Sequence, residues 1–247
     1  MKFGWKVFGV ISMGIAILGA VAVIILFPDI VHLVDSSPVM TGQRDVSGYD
    51  SIYFSGVGEL EIVQTGQYSL QISAAENILP DIETTVENKV LRIIYKWDWK
   101  KSSLKNQRPV KIQIQVADLT KIDISGAGVV SSPGLKSADL EIFLSGASQA
   151  ALTVDVESLK SEITGAGQMT LAGLAKSQKI NISGAGKYMA GNLTGNNAEI
   201  VISGLGVAEV AANNTLDINI SGGGKVIYSG NPKIKRQISG LGSIINK

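Results

Sequence analysis

The residues whose types could do chemistry are few and scattered. His32 is the single histidine. It stands just beyond an apolar run, where it reads as a solvated interfacial residue rather than a base or a metal ligand. A histidine-based triad is therefore impossible in the rest of the chain. There is no cysteine, which removes disulfides, thiolate metal sites and a thiol nucleophile. Asp155 and Glu157 form the best acidic pair, yet a glycoside-cleaving site needs carboxylates gathered on one face with suitable partners, and only four arginines exist, Arg44, Arg92, Arg108 and Arg236. The pair reads as a solvated strand face. Gly126 with Gly128, and Gly184 with Gly186, make G-x-G steps. Neither a third glycine opening a helix nor a Lys-Ser/Thr follows them, so no nucleotide cradle is indicated. No cofactor and no metal are expected.

The chemically distinctive stretch is Tyr95 to Arg108, YKWDWKKSSLKNQR. Tyr95, Trp97 and Trp99 share one strand face with Leu91 and Ile93, while Lys96, Lys100, Lys101, Lys105 and Arg108 crowd the tip against Asp98 alone. Two uses fit. The aromatics extend the hydrophobic face and cover the end of the core, or they form a contact site that stacks on sugar rings or sits among anionic lipid headgroups. These eight residues are the candidate partner contact.

The elements that must position this stretch begin with a membrane segment. Residues 7–27 hold no charge and, as a helix, are long enough to cross about 30 Å of hydrocarbon. Ala20-Val-Ala22 has the composition of a signal-cleavage site, but the apolar run continues past it to Phe27. An uncleaved anchor is expected, with secretion after cleavage as the alternative. Lys2 and Lys6 precede the helix and no cation follows it closely, which places the N-terminus in the cytoplasm and the rest outside. Pro28 ends the helix. The expected division is an anchor helix over 1–28, a linker over 29–45 and one domain over 46–247.

That domain repeats. IDISGAG, IFLSGAS, SEITGAG, INISGAG, IVISGLG, INISGGG and RQISGLG place their hydroxyl residues at Ser125, Ser145, Thr164, Ser183, Ser203, Ser221 and Ser239, at intervals of 18 to 20 residues. Apolar residues alternate before each corner, as Ile180 with Ile182 and Ile218 with Ile220, and alternation means strands. Units of about 19 residues have no room for a crossover helix, so successive copies stack as a parallel β-helix, an all-β solenoid preceded by the transmembrane α-helix. In each S-G-x-G corner, glycine permits a positive φ and close coil contact, and the hydroxyl is placed to satisfy corner amides. The outward positions four residues before each hydroxyl, Lys121, Glu141, Lys160, Lys179, Glu199, Asp217 and Lys235, then form one column in which opposite charges adjoin at most steps. Residues 46–118 are a less regular lead. Ser55-Gly56-Val57-Gly58 is an early corner copy, and residues 90–100 with 110–116 are expected to form a long hairpin joined through 101–107. Residues 119–247 hold the repeats. Lys233, Lys235, Arg236 and Lys247 near the last corner lean toward a blocked solenoid end.

The S/T-G-x-G/S corners in register, after a lead ending in KIQIQVADLTKIDISGAG, resemble the putative auto-transporter adhesin head GIN domain family from about Val46 onward. That resemblance implies a bacterial envelope protein with a β-helical domain and no established activity. No ten-residue amphipathic strands remain to build an outer-membrane barrel. The expected function is a non-catalytic, adhesin-like binding module, held at the cytoplasmic membrane with its domain in the periplasm or outside. A self-associating scaffold and a carbohydrate-active β-helix enzyme are the alternatives. Expected partners are membrane lipid, through the helix, and envelope glycan, lipid headgroups or protein. A net charge of +1 gives no field for nucleic acid. The oligomeric state is left open.

Overall fold

The structure, a computed structural model, describes residues 38–96 and 109–247. The apolar segment 7–27 lies outside them. Among the described residues no helix is long and apolar enough to cross a membrane.

The chain is all-β and winds into a β-solenoid of about six turns. The lead contains β1 (Val39–Arg44), β2 (Ser51–Gln64), β3 (Ser69–Ala75), β4 (Ile82–Glu87), β5 (Val90–Tyr95) and β6 (Lys111–Val116). β1 falls within the stretch read as linker. The repeats hold three long strands, β7 (Lys121–Gly146), β8 (Gln149–Gly165) and β9 (Gln168–Gly184). Shorter ones follow: β10 (Lys187–Thr194), β11 (Asn197–Gly204), β12 (Val207–Ala211), β13 (Thr215–Gly222), β14 (Lys225–Ser229), β15 (Lys233–Gly240) and β16 (Ser243–Asn246).

Neighbouring coils pair in parallel and in the register the repeat demands, with Ile180 beside Ile200 and Ile200 beside Ile218. Their inward side chains are fully covered, as are Phe54, Ile124, Ile182 and Ile202 on the same strands. Each such side chain contributes about 1.5–3 kcal/mol by leaving water, so one continuous core holds the stack. The early corner also stacks as its sequence indicates, with Ser55 and Gly56 directly beside Ser125 and Gly126.

At the corners the close approach is decisive. Gly184 has φ +115°, and a Cβ there would lie 2.6 Å from the carbonyl oxygen of Gly165 in the coil before it. The corner amides bond from coil to coil, for example Ala185 N to Gly165 O at 2.9 Å and Lys187 N to Gly167 O at 2.9 Å. This corrects the expected role of the hydroxyls. Thr164, Ser183 and Ser203 face solvent, and the coil below already satisfies the amides they were expected to serve. Where a corner ends in serine instead of glycine, Ser148 is buried, and its Oγ donates to Ser145 O at 2.9 Å or Gly126 O at 3.2 Å.

The charged column forms as well. Lys160 pairs with Glu141 at 3.4 Å, Lys179 with Glu199 at 3.0 Å and Lys235 with Asp217 at 3.2 Å. Lys121 departs from it, lying 3.8 Å from Asp123 and over the Phe143 ring. Burial raises the pKa of Asp123, and Lys121 and Arg92 oppose that shift.

Two expectations are corrected. Among the described residues β5 and β6 do not pair with each other. Both pair in parallel with β2, Ile52 beside Leu91 and Ile62 beside Ile114, so they are two sides of one more coil and not a hairpin. Antiparallel strands then extend that coil, β4 on β5, and β3 then β1 on β6. At the other end, β15 is exposed along its whole length and the inward-side Ile234 and Ile238 remain 42% and 38% accessible. Lys233 and Lys235 take outward places, but Arg236 stands on the inward side over Ile218, so one cation covers part of the core column while Ile234 and Ile238 on either side stay accessible.

Candidate functional site

The coil made by β5 and β6 has the same cross-section as the others but a different corner. In the coil stacked on it, Ser55 to Gly58 close the turn; here the chain leaves at Tyr95 and returns at Lys111. Gly56 is pressed against this junction, since a Cβ on it would lie 2.9 Å from both Cβ and O of Tyr95. The distinctive sequence stretch thus falls between the two sides of this coil. Trp97, Trp99, Lys100, Lys101, Lys105 and Arg108 lie outside the described residues. Tyr95 does not serve as a surface contact: it is buried with Leu91 and Ile93, because alternation along β5 turns all three toward the core. Lys96 is exposed and pairs with Glu83 at 3.2 Å.

The strand that follows this corner leads into a groove. Outward residues of β6, β2, β3 and β7 line two adjoining hollows of about 220 and 380 Å³ that share Glu61 and Gln113. The first is completed by Val63, Ser69, Gln71 and Gln115, the second by Glu59, Ser73, Lys111, Val129 and Ser131. Pairing sets the geometry: Gln71 lies beside Gln113 and Gln113 beside Glu61, so planar amide and carboxylate groups recur at each strand, about 4.8 Å apart. Gln113 donates to Glu61 at 3.1 Å, and Lys111 lies 3.9 Å from Glu59. Both Lys111 and Glu59 side chains are more than half exposed, so that pair stabilises little and its groups remain available.

Tyr49 braces this face from within. Its hydroxyl donates to Gln115 O at 2.8 Å, and its ring meets Tyr68 at 5.0 Å. Burial, with a smaller effect of Tyr68, pushes the Tyr49 phenol up to about 12.

Glu59 and Glu61 stand two apart on one face, in the open. Their carboxylates, with the amides of Gln71 and Gln113, give the groove a row of hydrogen-bonding groups. Among the described residues no group of acids or histidine could hold a metal ion. Asp155 lies 3.7 Å from Lys136 and Glu157 2.6 Å from Lys176, as expected of a solvated charged face. A larger hollow of about 560 Å³ lies where β7 shifts register between Ser132 and Leu135. Lys136 and Asp155 at its rim pair with each other, which leaves mostly backbone and Leu174 to meet a ligand.

The sequence reading did not single out the groove residues. In KIQIQV the glutamines alternate with core isoleucines, which marks Gln113 and Gln115 as outward, but nothing local shows that Gln71 and Glu61 flank them.

Fold and groove define a class: a parallel β-solenoid with regular coils at one end and a polar groove at the other. The chain belongs to the family of the putative auto-transporter adhesin, head GIN domain, whose sequence profile matches residues 48–232. The crystal structure of a putative adhesin from Bacteroides fragilis NCTC 9343 superposes with a TM-score of 0.80 at 27% identity, covering 86% of this chain and 98% of that one. A putative lipid binding protein from Parabacteroides distasonis ATCC 8503 gives 0.69 at 24% identity, over 86% and 98%. A putative adhesin from Parabacteroides merdae ATCC 43184 gives 0.68 at 19%, over 86% and 97%. The last two likenesses concern the fold alone. None of the curated proteins matches the chain.

Proposed function

We propose that the chain is a non-catalytic, adhesin-like binding module of the bacterial envelope. In this reading residues 7–27 anchor it in the cytoplasmic membrane, Lys2 and Lys6 remain inside, and the solenoid stands in the periplasm or beyond. The observation that carries the reading is the polar groove on the first coils, lined by Gln71, Gln113, Gln115, Glu59 and Glu61. The Bacteroides fragilis relative, described as an adhesin, supports it. A photo-crosslinker placed at Gln71 in intact cells should capture an envelope component, whereas the same group at Gln168, on the regular coils, should not. Equal capture at both positions would refute the groove as the contact face. Replacing Trp97 and Trp99 with alanine asks whether the corner takes part: lost capture with unchanged melting assigns it a contact role, and a large drop in melting temperature assigns it to the core.

A self-associating scaffold is the second reading. One observation favours it: on the last coil Leu241 is 92% exposed, beside the accessible Ile234, Ile238 and Ile245 and the open edge of β15. Sedimentation that depends on protein concentration, and that Leu241→Lys abolishes, would support it.

A further inference from the structure

We infer that the groove takes an extended, uncharged polysaccharide lying across the strands, one sugar residue to each strand. The inference rests on the binding-module reading above and names its ligand class.

The register builds a ladder. Gln43 lies beside Gln71, Gln71 beside Gln113 and Gln113 beside Glu61, on four successive strands in the spatial order β1, β3, β6, β2. The rungs are about 4.8 Å apart, the spacing of hydrogen-bonded strands, which is close to the advance of one pyranose in an extended chain. Gln43 and Gln71 are exposed, and neither amide has a side-chain or backbone partner among the described residues. A carboxamide offers two donors and an acceptor at one site, and a sugar hydroxyl both gives and takes, so a row of amides matches a row of hydroxyls at every step. The neighbouring row adds Thr41 and Ser73, whose hydroxyls lie 2.8 Å apart.

Charge decides against other polymers. Among the described residues Lys111 is the one cation lining the groove, and it faces Glu59 while Glu61 stands beside it, so these residues offer a polyanion no uncompensated positive group. Glu61 is already engaged by Gln113. An extended peptide would seek a sheet edge, where backbone groups are free. Of the four strands in the row only β1 has such an edge, and the hollows themselves lie over β3, β6 and β2, whose backbone groups are paired on both sides. A lipid tail would need a continuous apolar area, but Leu60, Ile112 and Ile114 beneath are fully buried, and only Val129 and Val63 offer apolar surface, set among polar side chains.

The test uses the full-length protein in a detergent without a sugar headgroup. Cellohexaose and chitohexaose serve as neutral probes, and a heparin hexasaccharide and anionic phospholipid vesicles as alternatives, with binding followed by calorimetry. At least one neutral hexasaccharide should bind, and Gln71→Ala with Gln113→Ala should weaken it by about tenfold or more, the loss of one to two hydrogen bonds. Gln168→Ala, on the same sheet beyond the groove, should leave binding unchanged. Circular dichroism melting confirms that the exposed substitutions leave the fold intact. Failure of both neutral probes, binding of heparin or vesicles alone, or binding indifferent to the double substitution would each overturn the inference. The crosslink at Gln71 is read separately: capture there without sugar binding leaves the module and removes the polysaccharide, whereas loss of capture removes both.

Discussion

The lead and the repeats are built on one cross-section and solve its corner differently. In the repeats, four residues close each turn, and the glycine carbonyl of one coil stands 2.5–2.7 Å from where a Cβ on the next would be. That leaves room for nothing but glycine, and what the corners expose is small except at Leu205 and Leu241. In the coil of β5 and β6 the corner is released between Tyr95 and Lys111, and the glycine column ends against Tyr95 instead of another glycine. The same coil is flanked by antiparallel strands, which cover its core and spread glutamines over its outer face. Regularity thus favours stacking, and departure from it creates a surface with a groove and a row of polar side chains.

The sharpest way to break this comparison is at the glycine column. Gly184→Ala must take φ +115° and meet the Gly165 oxygen, and a cost of about 3 kcal/mol or more is expected by denaturant titration. Gly134→Ala has ordinary φ and open space, and should change stability by less than about 0.5 kcal/mol. Equal effects would mean that close coil contact does not govern the repeats.

Two buried tyrosines sharpen it next, one in each region. Tyr188, inside the repeats, donates to Gln178 Oε1 at 3.0 Å, and burial raises its pKa. Tyr188→Phe leaves that buried oxygen without its partner and should cost about 1–3 kcal/mol. Tyr49→Phe, in the lead, loses a part-buried bond and should cost about 0.5–1.5 kcal/mol at neutral pH. The folded pKa of Tyr49 lies above its unfolded value near 10, so the stability tied to the protonated phenol is complete below pH 10 and fades as pH rises toward about 12. The gap between Tyr49→Phe and the natural protein should therefore narrow over that range. A gap that widens there would reverse the assigned sign.

Replacing residues 96–109 with a single alanine, the length that Ser55 to Glu59 set against Ile94 and Lys111 leaves between Tyr95 and Val110, tests the corner itself. If β5 and β6 are sides of one coil, the short corner should fit with a change within about 1 kcal/mol, since loop length alone costs little. Unfolding of this variant would show that the coil depends on its expanded turn. The smallest effect belongs to the charged column. Lys179→Ala, removing the exposed pair with Glu199, should cost about 0.2–1 kcal/mol, less at high salt.

Sequence alone determined the repeats, because their information is local and periodic. Alternation separates Ile180 and Ile182 from Lys179 and Asn181, the interval places Ser183 beside Ser203, and the corner glycines announce the turn. Even the ion pairs of the outward column follow from counting. In the lead the corner copy at Ser55 to Gly58 and the strands β5 and β6 were legible from alternation, but not how those strands pair. Its remaining strands pair out of chain order, β1 with β3, β3 with β6, β6 with β2, and no local rule relates strands so joined. Residues 90–116 resemble a hairpin because two alternating runs flank a polar turn, and only the position of β2 beside both runs shows them to be one coil. The groove shares that dependence. Gln43, Gln71, Gln113 and Glu61 stand far apart along the chain in no fixed period, and only strand pairing brings their side chains into one row.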